Sequence, residues 1–126
     1  MQTIKYILVI ITTLVFISCG EKTSNVASTT ASTITTTDGI TTSTFKVWGN
    51  CEMCKETIEG SLKTEGITKA DWNVDTKILT VEFDTSKISL DQIQKSVASV
   101  GYDNEKYKGD DKAYSELADC CQYDRK

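Results

Sequence analysis

The chain has 126 residues, 39% of them apolar and 25% charged, with a formal net charge of −4 and no histidine. That length holds one small domain rather than two. The acidic balance argues against nucleic acid as a partner, and the lack of imidazole removes the commonest general base and the commonest metal ligand, so any site must rest on the five cysteines.

Met1 to Ser18 has the pattern of an export signal: Lys5 is the charged start, and the apolar run from Tyr6 to Ile17 is shorter than the roughly 20 residues of a spanning helix. The run ends Leu14-Val15-Phe16-Ile17-Ser18-Cys19-Gly20, which resembles a bacterial lipobox, with Phe16 where an aliphatic residue is usual. The resemblance implies that Cys19 becomes the lipidated first residue of a protein anchored to membrane in a bacterial cell envelope, periplasm-facing or at the outer membrane. Loss of Lys5 leaves 13 basic against 18 acidic side chains. In an oxidising compartment Cys51, Cys54, Cys120 and Cys121 could pair as disulfides, hold a metal, or alternate between the two states.

Ser and Thr fill 14 of the 23 positions from Lys22 to Thr44, with no aromatic residue. Such a composition buries too little surface to offset ordering entropy, so residues 19–42 are expected to form a flexible tether and the domain to start near Ser43. Phe45 and Val47 alternate with Lys46 as a first strand that ends at the Gly49-Asn50 turn. Cys54, Ile58 and Leu62 recur at helical spacing, and Gly66 closes that helix. Ala70, Trp72 and Val74, then Leu79, Val81 and Phe83, alternate as two strands joined at Asp75-Thr76. Ser89-Leu90-Asp91-Gln92 fits a capping box before a helix striped by Leu90, Ile93, Val97 and Val100, which Gly101 ends. A weaker last strand is expected from Tyr102 to Lys108. The order is βαββαβ, an α+β ferredoxin-like sandwich over residues 43–108, followed by a short extension over 109–126.

Cys51 and Cys54 fall where the first strand hands over to the first helix. Backbone N–H groups and the dipole at a helix start favour thiolates, and paired soft thiolates select Cu(I) or Zn-like ions. Cys-x-x-Cys also serves disulfide exchange and plain structural disulfides. No histidine is present to activate a cysteine, and no proline to form the cis loop that faces such a pair in thioredoxin-like proteins, so an enzyme is not expected.

Val47-x-Gly49 before the cysteine pair, Asp75-Thr76-Lys77-x-x-x-Val81-x-Phe83-Asp84 in the central hairpin, and Val100-Gly101-Tyr102 after the second helix together resemble the heavy-metal-associated domain of copper chaperones and of the periplasmic mercury-binding protein. The resemblance implies that Cys51 and Cys54 bind one soft ion, most often Cu(I), with Hg(II), Zn(II) or Cd(II) in some members. It implies Tyr102 as a shield beside the ion. It also implies a monomer that docks transiently on a metal transporter or metal-pumping ATPase. The loop Gly49-Asn50-Cys51 is one residue shorter than the family pattern and lacks its methionine, so Met53 is expected either to plug the core in its place or to lie near the ion.

Ala113, Tyr114, Leu117 and Ala118 give the extension a short helical pattern before the vicinal pair Cys120-Cys121. That pair could collect an ion and pass it inward, complete a four-thiolate site with Cys51 and Cys54, or be buried, oxidised or paired with another chain in a packed tail. An alternative function is thiol-disulfide exchange using Cys51-Cys54 and Cys120-Cys121. Trp72 is expected in the core, Trp48 beside the metal loop or on the open sheet face, and Asp103, Glu105, Asp110 and Asp111 on a solvated surface.

Overall fold

A computed structural model describes residues 34–37 and 39–125. The expected export signal, Cys19, and the tether up to residue 33 lie outside those residues. The elements in chain order are β1 (Ile34–Thr37), β2 (Ile40–Lys46), α1 (Glu52–Gly60), β3 (Ile67–Trp72), β4 (Ile78–Asp84), α2 (Leu90–Ser99), α3 (Asp111–Ser115) and a 3-10 turn over Asp119–Cys121. The strands form one antiparallel sheet in the order β1-β2-β4-β3.

Period-two alternation puts Thr41, Ser43 and Phe45 of β2 on the buried face, opposite Phe83, Val81 and Leu79 of β4 in register. The helices cover that face. Cys54 and Ile58 of α1 and Ile93 and Val97 of α2 are fully buried, as are Trp72 and Leu79. Trp72 offsets the cost of burying its indole N–H by donating to the Val47 carbonyl at 3.1 Å, which ties β3 to the end of β2. The capping box forms as expected: Ser89 Oγ accepts from the Gln92 N–H, and Gln92 Oε1 accepts from the Ser89 N–H at 2.9 Å. This is the ferredoxin-like α+β fold, with two corrections to its outline.

The first concerns the Ser/Thr-rich stretch. Residues 34–37 and 40–42, expected within the tether, form a hairpin with Gly39 at φ +80° in its turn. Threonine and isoleucine are β-branched and suit a pleated strand when a neighbouring edge is open to them, so low hydrophobicity did not prevent pairing. The second concerns Tyr102 to Lys108. Only an isolated bridge between Val47 and Asn104 forms there, with Trp48 N–H donating to the Asp103 carbonyl at 2.9 Å. β1 already occupies the β2 edge from Ile40 to Ser43. The buried Asn104 then folds the chain into a turn, since its Oδ1 accepts from the N–H groups of Lys106 and Tyr107 while its Nδ2 donates to the Gln94 carbonyl.

Gly101 leaves α2 at φ +93°, and a Cβ there would lie 2.7 Å from the Tyr114 backbone nitrogen. Only glycine permits both the left-handed turn and this close approach of the extension. Leu79→Ala should lower the unfolding free energy of the reduced apoprotein by about 2–5 kcal/mol, against about 1 kcal/mol for Ser89→Ala, as read from urea denaturation.

Candidate metal centre

Cys51 is the N-cap of α1, with extended backbone (φ −143°, ψ 176°) and a half-buried side chain. Cys54, one helical turn on, is fully buried, and its Sγ accepts from the Asn50 N–H at 3.3 Å. The two sulfurs lie 3.6 Å apart. The shortened Gly49-Asn50 loop therefore still brings both thiols to one spot, one sulfur facing solvent and one facing the core.

The extension brings the other pair to them. Cys51 Sγ is 3.6 Å from Cys120 Sγ and 3.7 Å from Cys121 Sγ, although these residues are 69 and 70 positions away in sequence. Cys51, Cys54 and Cys121 hold their sulfurs within 4.8 Å of one another. Cys121 is buried and Cys120 exposed. Met53 is not the core plug: it is 52% exposed, and its Sδ lies 3.6 Å from Cys120 Sγ. The helical spacing explains this, because Met53 directly precedes Cys54, whose side chain points into the core.

Burial grades the reactivity of these thiols. The Cys54 backbone N–H holds the Cys51 thiol down to about 7, with further hydrogen bonds from the three other cysteines. Burial pushes the Cys121 thiol up to about 12, and contact with Cys54 adds to the rise. Cys120 is raised by its contact with Cys51. Tyr102 is fully buried, and its hydroxyl has no hydrogen-bond partner among the described residues. The groups that perturb it beyond burial are the Cys54 and Cys121 thiols, which together with desolvation push its ionisation far up.

Two groups that hold the extension, Tyr123 and Arg125, were not singled out from the sequence, whereas Tyr114 was. Tyr123 Oη accepts from the Asp103 N–H at 2.6 Å and donates to the Gly101 carbonyl at 2.9 Å. The Tyr114 hydroxyl donates to the Tyr123 carbonyl, and the two rings meet edge to face. Arg125 pairs with Asp103 at 2.8 Å and stacks over Tyr114. Asp103 is thus not part of a solvated acidic surface, being 1% exposed, with its Oδ1 also accepting from the Gly109 N–H. Asp110 and Asp111 are exposed, Asp110 capping α3 and Asp111 paired with Lys108 and Arg125. The alternation of Cys121, Tyr123 and Arg125 is the pattern that could have marked one inward face. Trp48 packs partly buried against the core, with the Lys46 ammonium over its ring.

The heavy-metal-associated domain model matches residues 44–103. The copper chaperone CopZ of Staphylococcus aureus (strain JH9) is 33% identical over 55 residues, which are 43% of this chain and 81% of that protein. The chain belongs to the heavy-metal-associated domain family. Among solved structures, oxidized MerP from Ralstonia metallidurans CH34 is 32% identical over 52% of this chain and 94% of its own, with a TM-score of 0.50. The putative copper-ion-binding protein from Bacillus anthracis str. Ames is 25% identical over 55% and 100%, with a TM-score of 0.51. The heavy-metal-associated match takes in Cys51, Cys54 and Tyr102 and ends before Cys120 and Cys121.

In the reduced protein, Cys51 should be alkylated by iodoacetamide with a rate that is low below pH 7, half-maximal near pH 7 and level above it. Cys121 should react more slowly than Cys51 and Cys120 up to pH 9. Peptide mass spectrometry of briefly labelled protein checks both.

Proposed function

We propose that this chain is a bacterial cell-envelope protein that binds a soft metal ion, Cu(I) foremost, through the Cys51 and Cys54 thiolates and passes it on by ligand exchange. The observation that carries this reading is the pairing of a half-exposed Cys51, whose thiol ionises near neutrality, with a buried Cys54 3.6 Å away at a helix start. Similarity to a copper chaperone supports it. Hg(II), Zn(II) and Cd(II) suit the same sulfur donors.

Exchange begins at the exposed ligand. A partner thiolate or thioether approaches from the Cys51 side, forms one metal–sulfur bond as the Cys51 bond breaks, and then displaces Cys54. Cys54 holds the ion through the first step because its sulfur is buried and its position fixed by the Asn50 N–H. No electron moves, and the ion is never free. The recipient proposed is a metal transporter or metal-pumping ATPase, met by a chain anchored through Cys19. The work is binding and transfer, without catalysis.

Thiol-disulfide exchange is a second reading, favoured by the contact of the Cys51 sulfur with three other sulfurs. The Cys51 thiolate would attack a substrate disulfide and release one substrate thiolate. Cys54 or Cys121 would then attack the mixed disulfide and release the other. This reading requires turnover above that of small thiols in a reductase-coupled assay, and its absence removes it.

Titration of the reduced protein with Cu(I) against a competing chelator should give one tightly held ion per chain, lost in Cys51→Ser/Cys54→Ser. Undiminished Cu(I) affinity in that variant would defeat the metal-binding reading. With free ion at a hundred times Kd the bound protein should gain about 2.7 kcal/mol of stability, read as a raised Tm, whereas the apoprotein keeps its fold because its core is apolar and complete without the ion.

A further inference from the structure

We propose that Cys121 is a third metal ligand, so that the extension closes Cys51 and Cys54 into a three-thiolate site for a soft ion such as Cu(I). This rests on the metal-binding reading above and assigns the ion its coordination. Three observations carry it: the spacing of the sulfurs, the way Cys121 is held, and a buried hydroxyl left without a partner.

Metal–sulfur bonds of about 2.3 Å place two sulfurs roughly 4.6 Å apart across a linear ion, and roughly 4.0 Å apart in a trigonal one. Cys51 and Cys54 are 3.6 Å apart and Cys51 and Cys121 are 3.7 Å apart, shorter than the linear spacing and suited to more than two sulfurs; Cys120 is as near to Cys51, at 3.6 Å, but falls outside the mutually close set. All three sulfurs fit within 4.8 Å of one another, so a soft ion needs little movement of the chain to touch each of them.

Cys121 is also held in place. It ends the 3-10 turn, donates its N–H to the Ala118 carbonyl at 2.7 Å, and is followed two residues on by Tyr123, whose hydroxyl bridges the Asp103 N–H and the Gly101 carbonyl. Cys120 is placed differently, exposed and with its sulfur against Met53, on the outer side of the cluster.

Three thiolates around a monovalent ion carry a net charge of −2, which a buried site must stabilise with donors. The Tyr102 hydroxyl is buried, has no hydrogen-bond partner among the described residues, and lies against the Cys54 and Cys121 thiols. It is a donor waiting for a thiolate.

The test is X-ray absorption of the Cu(I)-loaded, reduced full chain carrying Cys19→Ser, so that four thiols remain. Three sulfur neighbours per copper are expected in this protein, two in Cys121→Ser, and three in Cys120→Ser, with Cu(I) affinity falling about 10-fold or more in Cys121→Ser alone. Two sulfur neighbours in the unsubstituted four-thiol protein would overturn the proposal, and this holds even if Cys121→Ser fails to fold. Three neighbours kept in Cys121→Ser but lost in Cys120→Ser would move the role to Cys120 and overturn it equally. Binding that survives Cys51→Ser/Cys54→Ser would instead sink the underlying reading, so the two failures are told apart.

Discussion

The Tyr123 hydroxyl, accepting from the Asp103 N–H and donating to the Gly101 carbonyl, fastens the extension to the domain, and the arrangement of the sulfur cluster depends on it. Both backbone groups belong to the segment leaving α2, where the sheet offers no full strand to pair with. Had residues 102–108 continued as an edge strand, their polar groups would have been spent on β2. The N-terminal hairpin takes that edge, and the exit from α2 is left to bind a tyrosine. The Arg125–Asp103 pair closes the same seam from outside, where a one-sided loss would strand a carboxylate that is 1% exposed.

Around the four thiols the protein arranges graded access rather than uniform reactivity. Cys51 is half-exposed and ionises near neutrality, held there by the Cys54 backbone N–H at the helix start. Cys54 and Cys121 lie inward, and burial keeps the Cys121 thiol protonated. Cys120 and the Met53 thioether form the outermost sulfurs. On the proposed reading, an arriving ion would meet soft donors in order of exposure, Cys120 and Met53 first and Cys51 before the buried pair.

Much of this was legible in the sequence because period and capping agree. Helical spacing of Cys54, Ile58 and Leu62, strand alternation around Leu79, Val81 and Phe83, and the Ser89–Gln92 capping box each name their element unaided. The misses share a cause: they depend on contacts between distant segments. Threonines of β1 read as a solvated tether until an open edge is available to pair with them. Asp103 looks like a surface charge until Arg125, 22 residues later, comes to rest beside it. Met53 is the local exception, because the helical stripe of Cys54, Ile58 and Leu62 already turns its side chain outward.

The 70-residue separation of Cys51 from Cys121 also sets an order of events during folding. Closing a loop of that size costs roughly 3 kcal/mol more chain entropy than closing the three-residue span from Cys51 to Cys54. The near pair is thus available while the chain is still loose, and the distant sulfur arrives only once the core, the Gly101 turn and the Tyr123 bridge have formed. On the proposed reading, an ion caught early would sit in a labile two-sulfur clasp and be firmly held only when the native state is complete. Retention of the cargo would then report on the quality of the fold that carries it.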